Sequence, residues 1–309
     1  MLGDFRITDG PALTPDDIVR EVQHLPSAPK VLPRLKQLLL DGNSAMDEIV
    51  ALVRLDPGIA ARVLQVGNSA YFSKGVRCVT VDQAVHRVGY DQVYELVSYA
   101  VASQVLVRPL DAYAIDADEL WKMSVACALS AEILAERSGQ DRNIAYTIGL
   151  LHCVGMVAID EWSLRCAPSL KLSTVGFPRE AIASERAQLG FTQAEAGGAL
   201  LSAWEFPATM AEPVRWQYAP RATAACVRMT CLLYTAKWLR SVVCAPRFAP
   251  RPPLPEEVYL QPLGLTSHAL TGIVPLVVRR LGEISSLLDA DVEQLDLRRP
   301  LFPAQQWRG

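Results

Sequence analysis

Helix-start signals recur along almost the whole chain, and no strand pattern interrupts them. Polar N-cap residues stand directly before apolar stretches of helical period at Asp56, Thr80 and Thr192, the last two with a Gln or Glu three residues further on. Such side chains accept hydrogen bonds from the free N–H groups of a first helical turn. Polarity alternates only over residues 76–81, which is a short stretch for a strand. The spacing therefore predicts an all-α fold.

The predicted helices form two groups that meet near residue 110. The sequence predicts an N-terminal helical subdomain (14–110), a second helical subdomain (111–220), a C-terminal helical extension (221–289) and a tail without clear period (290–309). Within the extension, residues 245–255 contain five prolines. Because proline interrupts helices, this stretch predicts a linker or an extended surface loop.

Composition narrows the functional classes. Half of the residues are hydrophobic and the formal net charge is −3, so the chain can bury a large core but has no strong positive field. Nucleic-acid binding is therefore disfavoured. The seven cysteines include no CxxC pair, which favours a reducing cytoplasm over a disulfide framework. No apolar run approaches the roughly 20 residues of a membrane helix, and we expect no membrane partner.

The apolar stretch 147–159 carries a His152-Cys153 pair, which raises the question of a metal or catalytic site. A catalytic metal needs at least three converging N, O or S ligands, and no other histidine stands at a ligand-like interval. We expect His152 to be a buried imidazole with a backbone hydrogen bond. Cys153 is predicted to lie in mid-helix, where apolar burial raises the pKa of a thiol and makes a nucleophile unfavourable.

Several stretches, taken in serial order, resemble the HDOD family, the HD-related output domains of bacterial signalling systems. The resemblance covers roughly residues 20–220 and implies a multi-helical HD-domain-like architecture with two helical subdomains. The stretches are LPSAPKVLPRLKQLL (25–39), LDPGIAARVLQVGNSAYF (55–72), VTVDQAVHRVGYDQV (79–93), LWKMSVACALSAEILAE (120–136), AYTIGLLHCVGMVAID (145–160) and ERAQLGFTQAEAGGALLSAWEFP (185–207).

The resemblance also gives the His-Cys pair a meaning. HD phosphohydrolases use His and Asp side chains to hold metal ions that activate water, and His152 with Cys153 occupies the place of their His-Asp step. Of the corresponding positions only His152 keeps a usual ligand, because thioethers and amides do not replace imidazoles and carboxylates around a hard cation. The resemblance therefore implies a degenerate pocket with no metal and no cofactor. Its residues are Met123, His152, Cys153, Gln193, Gln217 and Tyr218.

Two functional hypotheses follow from this degenerate pocket. The first is a non-enzymatic signal-transduction module that binds a signalling protein partner or a small ligand, with self-association left open. The alternative is a divergent HD-type metal-dependent phosphohydrolase that recruits unusual ligands, such as Cys153 beside His152.

One turn is a candidate contact surface for such a module. It offers Asn68, Ser69, Tyr71 and Phe72, which we expect to lie outside a helix. A structural role is the stronger expectation, in which the Asn and Ser side chains cap backbone groups and the two rings fill the core. Turns that carry aromatic residues also host partner contacts.

Overall fold

In the computed structural model of this chain, every regular element within the described residues is a helix. Among them the one β-type pairing is an isolated antiparallel bridge between Leu110 and Ile115. The prediction of an all-α fold is confirmed. The described residues are 13–22, 31, 35, 38, 45–73, 75–89, 92–93, 109–173, 179–223, 225–245 and 252–289.

The helices are numbered in chain order, and two 3₁₀ turns, Pro220–Ala222 and Gln261–Leu263, accompany them. The predicted tail 290–309 and most of the proline-rich segment 245–255 lie outside the described residues. The helices are α1 (Pro15–Glu21), α2 (Met46–Val53), α3 (Pro57–Asn68), α4 (Ala70–Ser73), α5 (Val81–Val88), α6 (Ala117–Ser138), α7 (Arg142–Leu151), α8 (Val154–Cys166), α9 (Arg179–Leu189), α10 (Gln193–Ala203), α11 (Ala208–Arg215), α12 (Val227–Val243), α13 (Glu257–Leu260) and α14 (Ser267–Asp289).

The predicted N-caps begin the helices as expected. The Asp56 carboxylate accepts from the Ile59 N–H at 2.9 Å, and the Thr80 hydroxyl accepts from the Gln83 N–H at 3.2 Å. Thr192 caps α10 in a reciprocal capping box. These contacts span three residues, so local sequence is enough to predict them.

The stretch predicted as one helix through His152 is two helices. α7 ends at Leu151 and α8 begins at Val154, with Cys153 at φ −95° and ψ 2° between them. Cys153 is therefore not in mid-helix, contrary to the sequence prediction. The combined stretch Arg142–Cys166 is the one described helical segment that is long and apolar enough to cross a membrane, but 89% of its most apolar window is buried inside the protein. Such burial is typical of a core helix.

Helix α6 forms the centre of the fold, where it packs against α7, α12 and α14. Helix α1 packs against α8 and α10, although its sequence lies in the predicted N-terminal subdomain. The predicted subdomain boundaries stay a prediction.

Glycines allow two helix pairs to approach closely. A Cβ added to Gly149 would lie 2.8 Å from the Cα of Ala128 on α6. A Cβ added to Gly155 on α8 would lie only 1.8 Å from the carbonyl oxygen of Gln193 on α10. Because that oxygen is backbone, only a shift of a helix could relieve the overlap.

A buried arginine joins the N-terminal helices to α6 and α7. The Arg54 guanidinium donates to Asp82 at 3.0 Å and to Asn143 at 3.2 Å, and it pairs with Glu132 at 3.5 Å. Its carbonyl accepts from the Tyr146 hydroxyl at 2.9 Å, and its guanidinium lies 4.1 Å from the centre of the Tyr146 ring. Burial of this charge is favourable because acceptors surround it.

We predict that Gly155→Ala lowers the free energy of unfolding by about 3 kcal/mol, since the methyl group overlaps the α10 backbone. Gly272→Ala is the matched control, because Gly272 is exposed on α14 with open space around it. In the control, the free energy of unfolding should rise by about 0.5 kcal/mol, since alanine favours the helix. Urea denaturation measures both, and equal stability of the two variants would contradict the close approach of α8 to α10.

Arg54→Met should lower the free energy of unfolding by about 3 kcal/mol, because it leaves the Glu132 carboxylate buried without this guanidinium. Arg279→Met is the control, since Arg279 and Glu283 form an exposed ion pair whose loss should cost less than about 0.5 kcal/mol. Thermal and urea unfolding compare the two, and similar losses for both variants would refute the role of Arg54.

Candidate functional site

The pocket positions lie where the helices α6, α7, α8 and α10 converge with the segment after α11. Met123 projects from α6, half-buried against the hydrophobic core. The remaining five positions are connected to one another, either by a hydrogen bond or because they are neighbours in the chain. Gln217 donates to the His152 carbonyl at 3.1 Å, and Gln193 donates to the Tyr218 hydroxyl at 2.9 Å. Five of the six residues that the family resemblance groups together are thus neighbours in the structure.

His152 is a buried, neutral imidazole with both ring nitrogens engaged. Its Nδ1 lies 2.7 Å from the Gly149 carbonyl oxygen, which can only accept, so the proton resides on Nδ1. Its Nε2 is then the acceptor that faces the Cys153 thiol at 3.0 Å. Burial, followed by the charges of Arg240 and Lys237, holds the pKa of His152 well below its usual range. This lowered pKa favours the neutral imidazole, which carries its single proton on Nδ1.

The Cys153 thiol is equally unsuited to nucleophilic or ligand chemistry. Burial raises its pKa to about 11, against the smaller opposing effects of Arg240 and Lys237. At neutral pH the sulfur keeps its proton and can donate to His152. A thiolate is the form that attacks or binds metal, and this environment does not produce one.

The two glutamines make structural contacts through their amide nitrogens. Gln217 is fully buried, and its Nε2 also donates to the Val214 carbonyl at 2.9 Å. The Gln193 backbone N–H donates to the Glu185 carboxylate at 2.8 Å. Each amide oxygen is buried and has no hydrogen-bond partner within the part of the chain that the structure describes. These side chains fix the segment after α11 against α7 and α10.

Sequence reasoning missed a buried basic residue that lies against the pocket, Lys237. This lysine on α12 is 1% exposed, and its Nζ lies 3.4 Å from the centre of the Tyr218 ring. Burial, and then the charge of Arg240, lowers the pKa of Lys237 well below its usual range. A sequence signal did exist, because Lys237 stands four residues after Leu233 and therefore on the same face of α12 as this apolar residue.

A buried carboxyl group, also missed from sequence, lies beside the pocket. Glu185 accepts from the Tyr113 hydroxyl at 3.0 Å as well as from the Gln193 N–H. Burial raises the pKa of Glu185 to about 7, although both hydrogen bonds act in the opposite direction. Its two oxygens thus connect the 110–115 segment with the first turn of α10.

The pocket does not fit the metal ions of an HD-type site. Among the described residues, no three or more His, Cys, Asp or Glu side chains converge as a metal ion requires. The groups at the six pocket positions are one imidazole, one protonated thiol, one thioether, two amides and a phenol, and a buried lysine accompanies them. A hard divalent cation needs several carboxylates or imidazoles, which this donor set does not supply.

The structure gives the residues of the candidate contact turn different roles. Asn68 ends α3 and is fully buried, so it is not a contact residue as first considered. The Ser69 hydroxyl donates to the Val66 carbonyl at 2.7 Å. Tyr71 and Phe72 lie in α4, contrary to the prediction of a turn outside any helix. Phe72 is half-buried, whereas Tyr71 is 84% exposed and does not fill the core.

The pH dependence of stability should reveal the buried amine. The unfolded chain keeps the ordinary lysine pKa of about 10.4, whereas the pKa of Lys237 in the folded protein is lowered. The unfolded state binds this proton more tightly than the folded state does, so the lysine destabilises the fold at every pH below its ordinary pKa, and this effect fades as the pH rises to about 10.

We predict that Lys237→Met raises the free energy of unfolding by about 1 kcal/mol at about pH 7. Wild type should approach the variant as the pH rises toward about 10. Lys122→Met, at an exposed position of α6, is the control and should parallel wild type throughout. Urea titrations over this pH range test the difference, and a constant gap between wild type and Lys237→Met would contradict it.

Comparison with known proteins shows what this chain is similar to. The chain is 26% identical over 207 residues to an uncharacterized protein of Treponema pallidum (strain Nichols), a match that covers 65% of this chain. The chain spans only 39% of the length of that relative.

Two crystal structures show the same fold. The first is the MmoQ response regulator from Methylococcus capsulatus str. Bath, which is 20% identical and has a TM-score of 0.60, over 81% of this chain and 98% of that one. The second is a virulence factor from Campylobacter jejuni, which is 16% identical and has a TM-score of 0.62, over 87% of this chain and 100% of that one. The family model of the HDOD domain matches residues 25–220, well over half of the chain. The protein therefore belongs to the HDOD domain family.

Proposed function

We propose that this chain is a non-enzymatic output module of bacterial signal transduction, which acts in the cytoplasm by binding a protein partner or a small ligand. The observation that carries the proposal is the buried Lys237 side chain, packed on the Tyr218 ring in the pocket where catalytic HD domains would hold metal ions. The pocket is then part of the folded core, and the surface of the protein carries its function.

The electrostatics of the pocket support this role. Lys237 and Arg240 both disfavour a positive charge near His152. A divalent cation would experience the same repulsion, which low dielectric surroundings strengthen. The Nε2 of His152 faces the Cys153 thiol, so a metal ion would first have to displace that contact. The charge repulsion and the contact between His152 and Cys153 both oppose metal binding. The six pocket positions include no carboxylate that could offset these two effects.

The hydrogen bonds of the pocket support a structural role for its polar groups. Gln217 joins the segment after α11 to the α7–α8 junction, and Gln193 joins α10 to Tyr218. In a catalytic site, polar side chains would instead face substrate. A pocket whose polar groups bind one another can keep the module rigid while it presents an outer face to a partner.

The measurement that tests the proposal is metal content together with hydrolysis. The full chain, incubated with Mn²⁺, Fe²⁺ or Zn²⁺ and then desalted, should retain no stoichiometric metal by elemental analysis. Its hydrolysis of bis(p-nitrophenyl) phosphate should stay at the level without metal. Thermal unfolding should not shift with added metal, since a ligand that binds the native state must stabilise it.

Two histidine variants make the outcome specific. His152→Ala removes the one usual ligand in the pocket, and His86→Ala removes an exposed histidine of α5. Stoichiometric metal and metal-dependent hydrolysis that His152→Ala abolishes and His86→Ala retains would establish the alternative, a divergent HD-type phosphohydrolase. Identical metal-free behaviour of all three proteins is the expected result.

A further inference from the structure

Two basic side chains of α12 lie against the pocket. Lys237 and Arg240 stand three residues apart, so they project from the same side of the helix. The Lys237 side chain is buried on the Tyr218 ring, at 3.4 Å from its centre. After burial itself, the charges of these two residues are the next causes that lower the pKa of His152. The two cations therefore act on the same pocket position.

The Arg240 guanidinium has donors to offer a ligand. Arg240 is half-buried, and its Nε is buried without a hydrogen-bond partner among the residues that the structure describes. A buried donor without a partner is unfavourable. Burial, and then the charge of Arg240, lowers the pKa of Lys237, which shows that the two cations also repel each other. An anion that contacts both side chains would relieve the unmade hydrogen bond and the repulsion together.

Two acceptors in the same pocket also lack partners. Gln193 donates through its Nε2 to the Tyr218 hydroxyl, and Gln217 is the chain neighbour of Tyr218. In the described part of the chain, the amide oxygen of each glutamine is buried and accepts no hydrogen bond. An amide oxygen can only accept, so it matches a ligand that carries an O–H group. Hydrogen phosphate combines negative charge with an O–H group, whereas sulfate has the charge alone.

One carboxyl group near the two cations offsets their charge only in part. Glu185 acts on the charge of Lys237. Its two oxygens already accept from the Tyr113 hydroxyl at 3.0 Å and from the Gln193 N–H at 2.8 Å. Burial raises the pKa of Glu185 to about 7, so at neutral pH this carboxyl is only partly ionised. The surroundings of Lys237 and Arg240 therefore still favour an added anion.

We propose that the pocket binds one phosphate group that keeps an O–H, held between the two basic side chains of α12 and the two glutamine amide oxygens. The inference goes beyond the proposed function, because it gives the pocket an occupant while the surface still carries partner binding. The positive charges that oppose a metal ion attract this anion. Because a ligand of the native state stabilises it, phosphate would control the stability of the module.

Equilibrium dialysis of the full chain against radiolabelled inorganic phosphate at neutral pH tests the proposal. Wild type should retain one phosphate ion per chain, and its thermal unfolding midpoint should rise with phosphate concentration. Sulfate at the same ionic strength should bind about tenfold more weakly, because it leaves the buried amide oxygens unpaired.

Variants of α12 make the measurement specific. Lys237→Met and Arg240→Met should each weaken phosphate binding about tenfold, since each removes a charged donor. Lys237→Met is expected to fold more stably than wild type, so its loss of binding would not reflect unfolding. Arg279→Met is the matched control, because Arg279 belongs to an exposed ion pair of α14. This control should retain phosphate like wild type.

Unlabelled competitors identify the source of the phosphate group. Displacement of the label by methyl phosphate as well as by inorganic phosphate would show that the pocket accepts a small phosphate monoester. Displacement by inorganic phosphate alone would show that the pocket takes the free ion. Both results support the proposed site.

Three results would overturn the inference. They are absence of stoichiometric phosphate on wild type, equal retention of phosphate by wild type, Lys237→Met and Arg240→Met, and equal binding of phosphate and sulfate. None of these results bears on the proposed function, which is tested by metal content and hydrolysis on the same samples. Stoichiometric metal with metal-dependent hydrolysis would refute the proposed function, whatever the phosphate measurement shows.

Discussion

The buried guanidinium of Arg54 is the interaction on which the arrangement of helices depends. It stands at the end of α2 and contacts Asp82 of α5, Glu132 of α6 and Asn143 of α7. Glu132 also receives Arg280 of α14 at 3.0 Å. One carboxylate on the central helix thus holds both N-terminal and C-terminal parts of the chain. A buried charge without its partners strongly destabilises a fold. These contacts therefore favour the observed arrangement of helices around α6.

Lys237 shows how a second buried cation can have the opposite consequence. The Arg54 guanidinium donates to Asp82, Asn143 and Glu132. The Lys237 side chain packs on the Tyr218 ring, and the charge of Arg240 acts on it. Its surroundings lower its pKa and that of the nearby His152. The low dielectric constant of the interior strengthens the attractions in the Arg54 network, and it also strengthens the repulsion of an added positive charge near Lys237 and Arg240.

The candidate site was only partly predictable from sequence. The family resemblance identified six positions, and five of them are joined in the structure. It did not identify Lys237 or Glu185, because neither stands at an expected ligand position and both reach the pocket only through helix packing. In the contact turn, the structural role predicted for Asn68 is present, but the Tyr71 ring does not enter the core. Which side of a four-residue helix faces solvent depends on the neighbouring helices.

The sequence alone determined the helical class, the N-caps at Asp56, Thr80 and Thr192, and the identity of the family. These features depend on contacts between residues three or four apart, or on the serial order of motifs. Both can be read directly from the amino-acid sequence. The break between α7 and α8 at Cys153 and the burial of Lys237 were decided only by tertiary structure. Both depend on surfaces supplied by residues distant in sequence, whose close packing no local pattern encodes.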